Sequence, residues 1–104
     1  MRIEKKKEYL KKYILQEAII NRNINLCKLN PEKIDFYKDK INEAEALRIT
    51  IEEKISKIEN PVLSELLIQK YIFGKTLEEI ALILNYSKRH IERLHIKALE
   101  KFDL

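Results

Sequence analysis

Apolar residues along this chain recur at steps of three and four, and charged residues fill the gaps between them. That spacing is the 3.6-residue period of an amphipathic helix, and no run alternates apolar and polar residues as a half-buried strand would. Two Asn-Pro pairs and a single glycine punctuate the pattern and divide it into helices. The first helix is predicted from Ile3 to Leu29, with Ile3, Leu10, Tyr13, Ile20, Ile24 and Cys27 on its inner line. It stops at Leu29-Asn30 because a proline at 31 disfavours helical geometry in the residue before it. Pro31 suits the first position of the next helix and Asn30 its cap. Glu32 suits the first turn, where a carboxylate meets the positive end of the helix dipole.

The second helix is predicted from Pro31 to Glu59. Ile34, Tyr37, Ile41, Ala44, Arg48, Ile51, Ile55 and Ile58 form a sustained heptad stripe. Arg48 is its one polar member, available to pair with a carboxylate such as Glu17 or to set the register of an oligomer. The turn at Asn30-Pro31 folds the two long helices back as an antiparallel hairpin. Their stripes either cover each other or are shared with a second subunit.

Asn60-Pro61 repeats the start signal and opens a third helix, PVLSELLIQKYIF, ending at Gly74. Val62, Leu63, Leu66, Leu67, Ile68, Tyr71, Ile72 and Phe73 cover most of its circumference, so it is buried on more than one side. Gly74 can adopt the left-handed C-cap, and Thr76 with Glu79 makes a capping box for a fourth helix.

From Thr76 to Phe102 the chain reads as two short helices joined by a tight turn. Ile80, Ala81, Leu84, Tyr86, Ile91 and Leu94 fall where such a pair must pack, and Ala81 is small enough for a close crossing. Asn85 tolerates the left-handed conformation that ends a helix, and Ser87 offers an N-cap oxygen for the next. An αα-corner in an ordinary helical core has the same periodicity. Small residue, turn residue, cap and basic outer face in one register favour instead a helix-turn-helix, whose second helix enters the DNA major groove.

On that last helix Ile91, Leu94, Ala98, Leu99 and Phe102 point inward, while Lys88, Arg89, Glu92, Arg93 and Ile96 fall away. Arg89 and Arg93 are one turn apart, and each can pair with guanine O6 and N7. Glu92 can accept from cytosine N4, or pair within the helix with Lys88. His90 is read as a phosphate contact or a partly buried neighbour of Tyr86. Lys97 and Lys101 near the helix end can touch phosphates or simply favour the dipole.

Composition agrees with the pattern. Hydrophobic residues are 45% and charged residues 37%, with Gly 1 and Pro 2, which predicts an all-α chain. A net charge of +4 permits nucleic-acid binding without demanding it. The cluster Lys5-Lys6-Lys7 with Lys11 and Lys12 reads as a solvated helix face in preference to a second DNA contact. Cys27 is alone, which excludes an internal disulfide and suits a reducing cytoplasm. No apolar run approaches a membrane span and the amino terminus lacks a leader's apolar core, so a cytoplasmic protein without membrane contact is expected. His90 and His95 are five residues apart on different sides of a helix, so no metal is expected, and no cofactor. Scattered carboxylates and the lack of a Gly-rich phosphate loop argue against an enzyme.

The segment from about Asn60 to Phe102 resembles region 4 of bacterial sigma factors and the phage-encoded regulators similar to it, including ArpU-like regulators. The resemblance is carried by Leu66, Tyr71, Gly74-Lys75-Thr76, Glu78-Glu79-Ile80-Ala81, Leu84, Tyr86-Ser87, Ile91, Leu94 and Lys97-Ala98-Leu99. Asn85 stands where Gly is usual. The resemblance implies a three-helix DNA-binding module over 60–104, following the helical hairpin that periodicity predicts over residues 1–59. It implies that Lys88, Arg89, Glu92 and Arg93 face DNA, with Thr76 and Ser87 near the backbone. The long hairpin does not resemble the other sigma regions, so the expectation is a small transcriptional regulator of phage or mobile-element type rather than a full sigma factor. Its expected partners are double-stranded DNA, RNA polymerase, and a second copy bound through the N-terminal helices. Two other classes fit the same pattern: a small terminase-like DNA-packaging subunit, which forms rings, and a protein-interaction module working through the hairpin.

Overall fold

The computed structural model describes residues 2–104. Five α-helices account for the fold, and no strand occurs among the described residues. Helix α1 runs Arg2–Leu29 and α2 runs Ile34–Ser56, and the two pack along each other as the predicted hairpin. Three shorter helices follow: α3 (Pro61–Leu67), α4 (Leu77–Leu84) and α5 (Lys88–Lys101). A 28-residue helix such as α1 is about 42 Å long at 1.5 Å per residue. The molecule is accordingly elongated, 52 × 26 × 22 Å. No helix is long and apolar enough to cross a membrane.

The hairpin turn departs from expectation. Pro31–Lys33 forms a 3-10 turn, and the α-helix proper begins only at Ile34. Asn30 does not cap it. Its side-chain amide instead donates back to the Leu26 carbonyl at 3.4 Å, serving the end of α1, where unpaired carbonyls collect. At the other end α2 stops at Ser56, three residues short of Glu59, and the Ile58 amide closes the turn onto Ile55 at 3.0 Å.

The inner line of α1 is Leu10, Tyr13, Ile20 and then Asn23, which is only 3% exposed. Ile24, predicted for this line, is 40% exposed instead. A helix with 3.6 residues per turn drifts around a 3.5-residue stripe, and here the drift turns Asn23 inward and Ile24 out. The Asn23 amide is satisfied locally by the Ile19 carbonyl at 2.8 Å. Arg48 also differs from its prediction. It forms no ion pair with Glu17; its guanidinium lies 5.8 Å over the Tyr13 ring. Tyr13 donates its hydroxyl to Glu52 at 3.2 Å. A ring face offers the cation an attraction that does not require desolvating a carboxylate.

One hydrophobic core joins the near end of the hairpin to everything after Asn60. Leu10, Ile51, Ile55, Leu63, Leu66, Leu67, Tyr71, Ile80, Ile91, Leu99 and Phe102 all belong to it. α3 starts as predicted: Asn60 Oδ1 accepts from the Val62 and Leu63 amides at 2.9 and 3.2 Å. It then widens into a π turn over Ile68–Ile72. Phe73, predicted to help cover this helix, is 62% exposed, because the chain has by then left the helix for Gly74 at φ 71°.

Candidate nucleic-acid interface

Helices α4 and α5 are held by local devices visible in the sequence. The Thr76 hydroxyl accepts from the Glu79 amide at 3.1 Å, and the Glu79 carboxylate accepts from the Thr76 amide at 2.9 Å. The capping box is therefore complete. Its hydrogen bonds, the one from the Thr76 backbone first, hold the Glu79 carboxyl below its ordinary pKa. α4 ends at Asn85 with φ 60° and ψ 45°, the left-handed conformation that closes a helix. The Tyr86 amide then donates to the Ala81 carbonyl at 2.9 Å. The Ser87 hydroxyl accepts from the His90 amide at 3.1 Å, which starts α5. Ala81 is buried in the core.

The inner face of α5 is Ile91, His95, Ala98 and Leu99, continued by Phe102. Leu94, predicted to point inward, is only partly buried. His95, weighed above only as a metal ligand, turns inward. It is 6% exposed, and its Nε2 lies 2.8 Å from the Tyr71 hydroxyl. Burial, with Lys70 and Lys7 nearby, lowers its pKa to about 4, so the ring is neutral at neutral pH. Burial raises Tyr71 to about 12, with Glu4 adding to the effect. The signal was available: His95 is four residues beyond Ile91 and three before Ala98, on the same helix face.

The outer face carries the predicted residues. Ser87, Lys88, Arg89, His90, Glu92, Arg93 and Lys97 are all exposed, as is Thr76. Among the described residues, no carboxylate pairs with Arg89 or Arg93. At about 100° per residue these two arginines project about 40° apart, at the centre of the exposed face. Lys88 stands apart from them. Its ammonium bonds the Glu78 carboxylate of α4 at 3.1 Å, rather than Glu92 on its own helix. Glu78 is lowered, first by a hydrogen bond from its own backbone and then by Lys88; Lys88 is raised by the bond to Glu78. The i, i+4 alternative is the weaker partner because the start of α4 brings Glu78 closer. His90 lies beside Tyr86 as predicted, edge to face with centroids 4.9 Å apart, but at the surface.

Two grooves flank α5. One, of about 530 Å³, is lined by Lys11, Lys70, Lys75, Thr76, Lys88 and Glu92, among others. The other, of about 630 Å³, is lined by Lys57, Glu59, Asn60, Leu63, Lys97 and Lys101, with Ile58 at its base. Among the described residues no cluster of His, Cys, Asp or Glu has the makings of a metal site. No protein-family model matches the chain, and comparison with curated proteins and with solved structures finds none similar to it.

Proposed function

We propose that the chain is a sequence-specific DNA-binding regulator of transcription that reads the major groove with α5. The observation that carries this reading is the pair Arg89 and Arg93. They are exposed, unpaired among the described residues, and one turn apart on a helix whose opposite face is locked into the core. Guanidinium groups so placed can each grip a guanine by two parallel hydrogen bonds. Thr76 and Ser87, at the starts of α4 and α5, suit contacts to the DNA backbone. The resemblance to sigma region 4 and to ArpU-like phage regulators points the same way and makes RNA polymerase a natural partner. No catalytic step and no cofactor are assigned to the chain.

A single recognition helix buries little surface, and specific sites usually recruit a second module. The second module in this reading is another copy, joined through the hairpin. Its outer half supports this with large apolar side chains left in solvent, Leu29 at 76% exposure and Phe36 at 58%. The same surface favours a second reading, in which the hairpin grips a different protein.

The deciding experiment is a binding titration against random duplexes, with Arg89→Ala/Arg93→Ala alongside. Enrichment of one motif by the native chain, lost in the double variant, establishes recognition by α5. Each bidentate contact is worth about 1–3 kcal/mol of discrimination, so the double variant should lose selectivity by at least roughly thirtyfold. Binding without an enriched motif rejects the reading. A mass measurement on the bare protein separates a dimer from a packaging-type ring.

A further inference from the structure

The two grooves beside α5 draw their lysines from parts of the chain far outside the last helix. On one side Lys11 of α1 lines the same groove as Lys75 and Lys88. On the other, Lys57, just past the end of α2, lines the groove shared by Lys97 and Lys101. Lys88 and Lys97 are nine residues apart, which places them about 180° apart around α5. Arg89 and Arg93 project between them. Each groove keeps an excess of cations: four lysines against Glu78 and Glu92 on the first side, three against Glu59 on the second. Glu78 is already engaged by Lys88, which leaves Lys11 exposed and Lys75 partly exposed, with Glu92 as the other carboxylate lining that groove.

Resting on the reading of α5 as a recognition helix, the geometry points to a two-sided phosphate clamp to which the hairpin contributes. A helix lying in the major groove, about 12 Å wide, has a phosphate backbone on each side of it. The lysine pairs Lys11/Lys75 and Lys57/Lys101 are placed to meet those two backbones. Lys11 and Lys57 thus belong to the DNA-contacting surface, and the hairpin positions the module on the duplex as well as offering a face to a partner. Phosphate contacts of this kind supply affinity and orientation without reading sequence.

The experiment measures affinity for the enriched duplex over a range of salt concentrations for the native chain, Lys11→Gln, Lys57→Gln and the double variant. Lys38→Gln, an exposed change on α2 away from both grooves, serves as control. Each lysine that releases a counterion should lower the log–log salt slope by about 0.9 per bound copy when removed, so the double variant should fall by about 1.8 per copy, and twice that for a dimer on its site, with its preferred motif unchanged. Lys11→Arg and Lys57→Arg should restore the native slope. An unchanged slope in the double variant, with Arg89→Ala/Arg93→Ala still abolishing the motif, overturns the clamp and leaves the recognition helix standing. A native chain that enriches no motif overturns both. Melting curves for each variant separate a lost contact from a lost fold.

Discussion

Around Ile20, Asn23, Tyr37 and Ala44 the hairpin is held by one narrow line of buried side chains, and Leu15, Leu29, Phe36 and Ile49 stand in solvent nearby. From Asn60 onward each α-helix begins on a side-chain cap, and one core wraps α3, α4 and α5. The outer hairpin is therefore specified by periodicity alone, which fixes a face but not its partner. The C-terminal module is specified by caps, a left-handed Asn and a buried polar pair, each of which fixes one geometry. A region of the first kind suits association, and one of the second suits holding a few side chains at defined positions for recognition.

The comparison breaks most sharply at Phe102. It is fully buried in the shared core and lies 6.1 Å from the Tyr9 ring of α1. Phe102→Ala should cost about 3–5 kcal/mol in denaturant titration. Because its core joins both regions, the near hairpin and the module should unfold in one transition rather than two.

Acid should weaken the shared core through His95. Its pKa is lowered from 6.5 to about 4 by burial, so the unfolded chain binds the proton more readily. The stabilisation is full above pH 6.5 and is lost as pH falls toward 4. His95→Gln should flatten the stability profile between pH 6.5 and 5, where carboxylates contribute least. A profile that keeps its native slope in that variant would assign the dependence to another group.

Asn85 offers the next largest effect. With φ at 60°, Asn85→Ala should cost about 1–2 kcal/mol, while Asn85→Gly stays close to the native melting temperature. Thr76→Ala and Ser87→Ala each remove a cap and should cost about 1 kcal/mol. No residue of the hairpin turn offers a comparable test, since Asn30 does not cap α2. The smallest change in stability is expected at the hairpin tip. Phe36→Ser should shift it by less than about 0.5 kcal/mol, yet weaken self-association in sedimentation runs. Unchanged association would remove the hairpin tip from the proposed dimer contact.

The helices of the module were legible because their signals are short-range. Asn60, Thr76 and Ser87 act on amides within a few residues of themselves, and Asn85 acts through its own backbone, so reading them needs no knowledge of the rest of the chain. Asn30 carried the same signal and misled, because Leu26 offered its amide a carbonyl and the 3-10 turn reset the helix start. Arg48 misled for a related reason: the Tyr13 ring on the facing helix competes for its charge, and heptad spacing alone does not show a ring face. At the candidate site the exposed arginines followed from helical phase. The pairing of Lys88 with Glu78 did not, because the two sit on different helices.

The sequence by itself determined an all-helical chain, the hairpin, the caps and the outward set on α5, since each depends on spacing within one helix or one turn. Only the tertiary structure decided that Asn23 rather than Ile24 turns inward, that His95 meets Tyr71, and that Lys11 and Lys57 line the grooves beside α5. Those outcomes depend on how helices from distant parts of the chain pack together. Helical periodicity assigns a residue its direction, but what it meets there is set by the neighbouring helix.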